Sequence, residues 1–306
     1  MKRSIRLFAF VSFVLFVQGV FGQESKSPWD GSKELFPGIH HVFLERTEPR
    51  LMKINVVRID LQTGLYGVCT STKDELWNQP MPDHDPACKR CKTPPLVVTK
   101  RQTTRNFLKE NRVAGKKMVL GVNASPWGPW GCGASKYAGR MGLFISQGEV
   151  LDDNDRGRPS FIVLKDGSVD FRYPGSKIPN DKIFISVPGF AVILDKGEVT
   201  AGAAGDKSCH PRTGYGLSKN RRYIYFITVD GRQKDYSMGA TTGELAALLK
   251  EFGAYDGLNM DGGGSTTLAI WQEDKGNAKD NVKILNHQAG GAERANGNNL
   301  GFYLVK

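Results

Sequence analysis

The residues best suited to chemistry in this sequence are the acid and the glycines within Gly257–Thr267, which reads GLNMDGGGSTT. Asp261 ends a short apolar run and is followed by Gly262, Gly263 and Gly264. Three consecutive glycines add no packing and lose much backbone entropy on folding, so they indicate a sharp turn or a backbone that touches a ligand. The amides of such a turn can form a nest for a phosphate or an oxyanion. An ordinary Asp-Gly hairpin turn is the simpler alternative.

An arginine and a second acid are expected at neighbouring strand ends. Arg212 begins a predicted hairpin whose return strand, Tyr223 to Val229, ends at Asp230. We therefore expect the two side chains near each other. The planar guanidinium of arginine is a usual bidentate partner for phosphate, and a purely structural Arg212–Asp230 ion pair is the alternative.

Aromatic residues and glycines crowd into the stretch PWGPWGCG, residues 126–133. Tryptophan faces suit the C–H faces of a sugar ring, while Asn123, at the end of the predicted strand from Lys117, suits its hydroxyls. The alternative is a rigid loop in which Trp127 and Trp130 only cap the core.

The elements that must position Asp261 can be predicted from the pattern around it. Thr241 and Glu244 fit a capping box, and leucines at helical spacing extend the helix to Phe252. A strand from Asp256 to Met260 follows, then the glycine turn, then a strand from Thr266 to Trp271. Asp261 is thus expected at a strand-to-turn junction, on a rigid scaffold.

The remaining pattern predicts an α+β fold with one catalytic domain, in which a mixed, largely antiparallel sheet is flanked by helices. Three hairpins are marked by turns at 146–148, 165–167 and 195–197. A polar surface helix is predicted over Thr99 to Arg112. The C-terminal strand, Leu300 to Val305, is expected to close a sheet, and Glu293 with Arg294 is interpreted as a surface pair.

The first 22 residues have the pattern of a secretory signal peptide. Three basic residues precede an apolar run from Leu7 to Val17, which is shorter than the roughly 20 residues of a membrane-spanning helix. No cysteine follows directly that could carry a lipid anchor. We expect an exported protein, periplasmic or extracellular, with a lead-in at 23–50 and the catalytic domain at 51–306.

Without the leader the chain has 39 basic and 31 acidic residues, a net charge of +8. This excess is modest and spread out, and it favours anionic glycans or phosphorylated substrates. No basic block with interleaved aromatic residues indicates a nucleic-acid partner. The oligomeric state is left open.

Residues 77–95 form a predicted long loop with five prolines and the pair Cys88 and Cys91. Such a Cys-x-x-Cys can be half a zinc site or a redox motif, but the second half-site and the βαβ pattern are missing. In an exported protein the expected use of these cysteines is in disulfide bonds. The chain has five cysteines, at positions 69, 88, 91, 132 and 209, so one is expected to stay unpaired.

Several stretches together resemble the phosphodiester glycosidase family over residues 51–306. The central one is the Asn259–Thr266 stretch NMDGGGST, which is similar to the family's Asn-Leu-Asp-Gly-Gly-Gly-Ser-Ser. The others, in chain order, are Val122-Asn123, Gly142–Ile145 with Gly148-Glu149, Pro211–Gly216, Val229–Arg232, the helix at Glu244–Ala246 and Glu293-Arg294.

The resemblance implies hydrolysis of the C1–O bond of a glycosyl-1-phosphodiester, similar to an N-acetylglucosamine phosphodiester. A phosphate monoester leaves as a stable anion, so such a site needs anion stabilisation and a well-placed carboxylate more than a general acid. The roles we expect are Asp261 as nucleophile or base, Asp230 as second carboxylate or as the group that orients Arg212, and Arg212 with the glycine amides as the phosphate site.

The other expected substrate-binding residues are Asn123 and Asn259, on sugar hydroxyls, with Thr213, Glu244 and Ser265. No cofactor is implied, and without a clustered set of histidines no metal is expected. Two other functions stay open: a secreted carbohydrate- or cell-wall-binding module without catalysis, and a hydrolase of another phosphate-linked glycopolymer. A binding module does not require Asp230, Asp261 and Arg212 together.

Overall fold

The structure is a computed structural model that describes residues 27–130, 135–273 and 281–305. The predicted signal peptide and Cys132 lie outside these ranges. Within them, no helix is long and apolar enough to span a membrane.

The described residues form twenty strands and three α-helices. The strands are β1 Lys33–Phe36, β2 Ile39–Arg46, β3 Met52–Asp60, β4 Tyr66–Thr70, β5 Thr99–Lys100, β6 Lys117–Asn123, β7 Tyr137–Ala138, β8 Phe144–Ser146, β9 Glu149–Asp152, β10 Ser160–Leu164, β11 Val169–Arg172, β12 Ile183–Pro188, β13 Ala191–Asp195, β14 Glu198–Val199, β15 Arg212–Leu217, β16 Tyr223–Val229, β17 Asp256–Asn259, β18 Leu268–Trp271, β19 Val282–Ile284 and β20 Asn299–Leu304. The helices are α1 Thr104–Val113, α2 Ala201–Gly205 and α3 Thr242–Glu251, and short 3-10 turns occupy Leu61–Thr63, Asn180–Lys182 and Gly263–Ser265.

The strands are arranged in three larger sheets and one two-stranded sheet. The first sheet has the order β1-β2-β3-β16-β15-β17-β13-β14, the second β19-β18-β6-β20-β4 and the third β11-β10-β12-β8-β9, while β5 pairs with β7. Every strand pair in the described ranges is antiparallel. The α+β prediction is compatible with this architecture, but the expected mixed sheet is not found.

One hydrophobic core joins the three larger sheets. It contains Val57 and Phe226 from the first sheet, Leu120 and Phe302 from the second and Phe161 from the third, all fully or almost fully buried. Helix α3 packs on the opposite face of the first sheet through a second cluster, and α1 packs on the second sheet through a third. Burial on both faces explains why the central strands are continuous apolar runs.

The hairpins and α3 were predicted correctly, but two other predictions were wrong. The first helix begins at Thr104 rather than Thr99, because Thr103 is its N-cap and Thr99–Lys100 pairs as a strand with Tyr137–Ala138. The C-terminal strand β20 lies between β6 and β4 instead of closing the sheet. Its backbone therefore forms hydrogen bonds on both sides. The lead-in contributes β1 and β2, which extend the first sheet beyond β3.

Candidate active site

Asp261 lies two residues beyond the end of β17, where the first and second sheets meet. Its backbone N–H donates to the carbonyl of Ala124 at 3.0 Å, and its own carbonyl accepts from Asn123 Nδ2 at 2.7 Å. Both partners belong to the end of β6 and the residue after it. The expected strand-to-turn junction is present, and the residue is held by contacts to a different sheet.

The Asp261 side chain is buried yet incompletely satisfied. Its exposed fraction is 6%, Oδ1 accepts from the Gly262 N–H at 3.0 Å, and Oδ2 has no hydrogen-bond partner. Burial raises the pKa of Asp261 to about 6, against the lowering effect of Ser265, Arg294, the Gly262 amide and Trp127. A carboxyl group with such a pKa can gain and lose a proton near neutral pH, as a general base or acid must.

Arg294 lies beside this carboxylate. Its Nη2 is 4.0 Å from Asp261 Oδ2, and its guanidinium donates to Ser265 Oγ from Nη2 at 2.7 Å and from Nε at 3.1 Å. Nη2 also donates to the Gly262 carbonyl at 3.2 Å. The interpretation of Glu293 and Arg294 as a surface pair is wrong, because Glu293 instead binds Arg105, with 2.9 Å between its Oε2 and Arg105 Nε.

A cleft of about 390 Å³ opens beside Asp261, a size in the range of small-ligand sites. The residues that line it are Trp130, Phe190, His210, Pro211, Arg212, Arg232, Asn259, Met260, Asp261, Gly262, Gly263 and Arg294. Arg232 Nη2 is 3.5 Å from His210 Nδ1. Burial, Arg212 and Arg232 lower the pKa of His210, in that order, so we expect a neutral imidazole at pH 7. The cleft wall therefore carries positive charge from its arginines around a single carboxylate, that of Asp261.

The glycine turn differs from the anion nest that we expected. The Gly262 N–H donates to the Asp261 carboxylate and the Gly263 N–H donates to the Pro211 carbonyl at 2.9 Å, so both amides already have acceptors. The glycines are required for space instead. A Cβ at Gly262 would lie 2.7 Å from the Pro211 carbonyl oxygen, and Gly263 has a φ of +62°.

Arg212 does not contact Asp230. The register of the hairpin is as predicted, with Arg212 opposite Val229. However, the Arg212 guanidinium binds Asp206 at 2.8 Å and the carbonyls of Ser208 and Ala240 at 2.7 and 2.9 Å. Side chains alternate along a strand, and Arg212 lies on the side of α2 and α3. Asp206 also accepts from the N–H of Thr242 in α3 at 2.9 Å.

Asp230 lies outside the residues that line the cleft, and it is 1% exposed. Its Oδ2 accepts from the His287 N–H at 2.9 Å, and Oδ1 has no hydrogen-bond partner. Burial raises the pKa of Asp230 to about 6, while the His287 amide and Asn286 act in the opposite direction. The chain therefore holds two buried carboxyl groups with similarly raised pKa values, of which Asp261 lines the cleft.

The two asparagines expected on sugar hydroxyls have different environments. Asn123 is fully buried, and its Oδ1 accepts from Thr213 Oγ1 at 2.9 Å and from the Thr267 N–H at 3.0 Å. With its bond to the Asp261 carbonyl, Asn123 ties β6, β15 and the residues before β18 together. Asn259 lines the cleft, and its Oδ1 has no hydrogen-bond partner. Of the two, Asn259 is the one available to a ligand.

Glu244 belongs to a helix terminus rather than to the cleft. Its Oε2 accepts from the Thr241 N–H at 2.8 Å in the predicted capping box, and it forms an ion pair with Arg50. These contacts stabilise the start of α3. Glu244 is not among the residues that line the cleft, so the expected contact with substrate is not found there.

One tryptophan caps the core, as the simpler interpretation has it, and the other is exposed at the cleft, where it can face a sugar. Trp127 is 4% exposed, with the Arg101 guanidinium 3.9 Å from its ring centroid, so it caps the core. Trp130 is 42% exposed, lines the cleft and packs on Trp127 at a centroid distance of 4.2 Å. Arg294 lies 4.6 Å from the Trp130 centroid. The exposed Trp130 ring therefore lies beside Arg294 in the wall of the cleft.

Sequence reasoning missed roles for Arg232, Arg294 and His210 in this cleft. The motifs Asp-Gly-Arg and Glu-Arg had drawn attention to the two arginines, but nothing in their spacing indicates that they converge on Asp261. His210 adjoins Pro211 in the Pro-Arg-Thr-Gly motif, and that adjacency was the available signal.

Among the described residues, one group of side chains has the geometry to hold a metal ion, namely His84, Cys88 and Cys91 in the loop at 77–95. No two described cysteines lie at disulfide distance, so the disulfide stays a prediction. Cys69 is buried and Cys209 is partly exposed.

Comparison with known proteins identifies relatives of this chain. The family model described as phosphodiester glycosidase matches residues 117–303, a range that includes every residue lining the cleft. No curated protein matches the sequence.

Three solved structures share the fold. The catalytic domain of zebrafish N-acetylglucosamine-1-phosphodiester alpha-N-acetylglucosaminidase is 17% identical, with a TM-score of 0.57 over 87% of this chain and 82% of that one. A Synechocystis protein is 13% identical, with a TM-score of 0.56 over 89% and 63% of the two chains. A Burkholderia pseudomallei protein is 12% identical, with a TM-score of 0.53 over 84% and 74%.

Proposed function

The chain belongs to the phosphodiester glycosidase family, and from this premise we propose that it hydrolyses the sugar C1–O bond of a glycosyl-1-phosphodiester. The products are a free sugar and a phosphomonoester, and the N-acetylglucosamine-1-phosphodiester type is the substrate to test first. The observation that carries the proposal is Asp261, a carboxyl group with a pKa of about 6 in a cleft bounded by Arg232, Arg294 and Trp130.

In the proposed reaction the substrate phosphate binds at Arg232 and Arg294. Ionised Asp261 either accepts a proton from the water that attacks C1, or attacks C1 itself; in the second case water then hydrolyses the glycosyl ester on Asp261 and releases the sugar. The C1–O bond breaks, and the phosphomonoester leaves with the bonding electrons as an anion that the two arginines stabilise. Asn259 and the face of Trp130 bind the sugar. Asp230 does not line the cleft, so the proposed reaction assigns it no contact with the substrate.

The first test measures release of free N-acetylglucosamine from an N-acetylglucosamine-1-phospho-sugar diester. Wild-type protein is expected to release the sugar and Asp261→Asn is expected to release none. Asp152→Asn is the matched control, because Asp152 is also buried and its pKa is also raised, chiefly by burial. An active Asp261→Asn protein contradicts the assigned role, provided that circular dichroism shows the same fold in all three proteins.

A carbohydrate-binding module without catalysis is the second candidate, because Trp130 offers its exposed face to a sugar. In that case the diester binds to the wild type without turnover. Mutation of Asp261, Arg232 or Arg294 then changes affinity only. A panel of other sugar phosphodiesters separates this outcome from hydrolysis of a different glycopolymer.

We also propose export of the protein, on the strength of the leader pattern at residues 1–22. N-terminal sequencing of protein from the periplasm or medium tests this, and mature chains are expected to begin near Gln23. Full-length protein that remains in the cytoplasm contradicts the proposal.

A further inference from the structure

A buried tryptophan, Trp127, adjoins the Asp261 carboxylate without lining the cleft. Its indole Nε1 is buried and has no hydrogen-bond partner, and Asp261 Oδ2 is in the same situation. A buried donor and a buried acceptor that both lack partners are costly and uncommon in folded proteins. We propose that the Trp127 Nε1–H donates to Asp261 Oδ2 when the carboxylate is ionised, and that Trp127 is thereby a positioning residue of the candidate active site.

The backbone brings the two groups together. The Asp261 N–H donates to the carbonyl of Ala124 at 3.0 Å, three residues before Trp127. The next residue, Ser125, donates its N–H to Asn298 Oδ1 at 2.7 Å. The segment that leads from β6 to Trp127 is thus fixed against the backbone of Asp261 and against the residue before β20.

The indole ring is held in place by its other contacts. The Arg101 guanidinium lies 3.9 Å from the centroid of Trp127, and Arg101 Nε donates to the Ala295 carbonyl at 3.1 Å. The centroid of Trp130 is 4.2 Å away. A Cβ at Gly297 would overlap Trp127 Cβ, so this glycine permits the close packing. The ring therefore has little freedom to turn its N–H towards another acceptor.

The proposed hydrogen bond completes the support of both carboxylate oxygens. Oδ1 of Asp261 already accepts from the Gly262 N–H at 3.0 Å. Burial raises the pKa of Asp261, and Ser265, Arg294, the Gly262 amide and Trp127 lower it, as groups that favour the ionised form do. Each carboxylate oxygen can accept more than one hydrogen bond. Oδ2 can therefore bind the indole N–H and still act on a water molecule or on the sugar.

The effect of Trp127 is separable from that of the charged groups around Asp261. The other charged or titratable side chains that line the cleft are His210, Arg212, Arg232 and Arg294. Arg294 lowers the pKa of Asp261 through its charge, whereas Trp127 carries no charge and acts by hydrogen bonding. Replacing the indole by a phenyl ring thus removes the donor and leaves the charge of the cleft unchanged.

The contact is tested by NMR on the full chain labelled with ¹⁵N-tryptophan. The chain has five tryptophans. The variant Trp127→Phe identifies the signal of Trp127, and the other four Trp→Phe variants identify it by elimination if that protein misfolds. In wild type this indole N–H signal is expected to titrate with a midpoint near pH 6, the pKa of Asp261. In Asp261→Asn it is expected to stay constant. A Trp127 signal that does not titrate in wild type, or that titrates equally in Asp261→Asn, overturns the proposal.

The catalytic consequence rests on the proposed function and is tested by the pH profile of sugar release. In Trp127→Phe the acidic limb of kcat/KM is expected to move to higher pH by about half a unit. We expect kcat to fall by about tenfold or more, with KM within about twofold of wild type. A purely structural role of the ring would leave the acidic limb in place.

Trp271→Phe is the matched control. Trp271 is also buried, with the Arg112 guanidinium 4.3 Å from its ring centroid, and it does not line the cleft. This variant is expected to keep the wild-type pH profile. A Trp127→Phe protein with wild-type kcat and an unshifted acidic limb overturns the positioning role. If wild-type protein releases no sugar, the proposed function fails, while the indole titration still decides whether the contact to Asp261 exists.

Discussion

Arg294 Nη2 lies 4.0 Å from Asp261 Oδ2 while the same guanidinium donates two hydrogen bonds to Ser265 Oγ. Arg294 therefore acts on Asp261 through charge at short range, without a direct hydrogen bond. Its position is fixed by a fully buried serine. This relationship joins the end of β17 to a segment more than thirty residues later in the chain.

The first prediction concerns the pH dependence of turnover. The positive charge of Arg294 lowers the pKa of Asp261 against burial, so its removal in Arg294→Gln raises that pKa further. If ionised Asp261 is the active form, the acidic limb of kcat/KM moves to higher pH by about one unit. The measurement is the pH profile of sugar release for both proteins.

Arg46→Gln is the control for this shift, because Arg46 binds Glu251 at the protein surface. An acidic limb that stays in place in Arg294→Gln contradicts the electrostatic role. A lower kcat/KM at every pH is expected in addition, since Arg294 also belongs to the proposed phosphate site.

The second prediction separates the two asparagines. Asn123→Ala removes three buried hydrogen bonds, so the free energy of unfolding is expected to fall by about 2–4 kcal/mol. Asn259→Ala is expected to change stability by less than about 1 kcal/mol and to raise KM. Urea unfolding and steady-state kinetics of both variants provide the measurement. A raised KM with unchanged stability in Asn123→Ala would restore its role as a substrate contact.

The third prediction compares two glycines of the same turn. In Gly262→Ala the new Cβ meets a backbone oxygen at 2.7 Å, which cannot move without shifting Pro211. We expect the free energy of unfolding to fall by about 1–3 kcal/mol. Activity is expected to be lost as well. In Gly264→Ala the nearest atoms are the Arg294 guanidinium at 3.3 Å, so the fold is expected to persist while kcat/KM falls. Equal thermal stability of both variants would contradict this.

The fourth prediction concerns stability and pH at Asp230. Burial raises its pKa to about 6 in the folded state, above the value of about 3.9 in an unfolded chain. The folded state therefore binds more protons, and this group destabilises the protein as pH rises from about 4 to 6. Asp230→Asn is expected to be more stable than wild type at pH 7.5, by up to about 3 kcal/mol, with the gap closing near pH 4.

Chemical denaturation of both proteins at pH 4 and pH 7.5 measures the difference in stability between Asp230→Asn and wild type. The change in that difference between the two pH values isolates Asp230 from the other titrating groups. Asp153→Asn is the control, because Asp153 is exposed. A gap of the same size at both pH values would contradict the prediction.

Local patterns in the sequence determined the elements around the site. The capping box of α3, the hairpin turns and the strand before Asp261 were predicted correctly, because each depends on residues within a few positions of one another. Glycine spacing and the Asp-Gly-Gly-Gly stretch likewise located Asp261 and indicated the family. The start of α1 was wrong because Thr99 and Lys100 pair with Tyr137 and Ala138, about 38 positions away.

The tertiary structure alone decided which side chains meet. Arg212 and Asp230 occupy the strand ends that the sequence predicted, but strand alternation and the position of α3 give Arg212 the partner Asp206 instead. Arg294 reaches Asp261, and Asn123 holds the Asp261 carbonyl, only because β6, β17 and β20 come together in space. Periodicity specifies which face of an element is buried, whereas contacts between distant side chains depend on the packing of whole sheets, which no local pattern encodes.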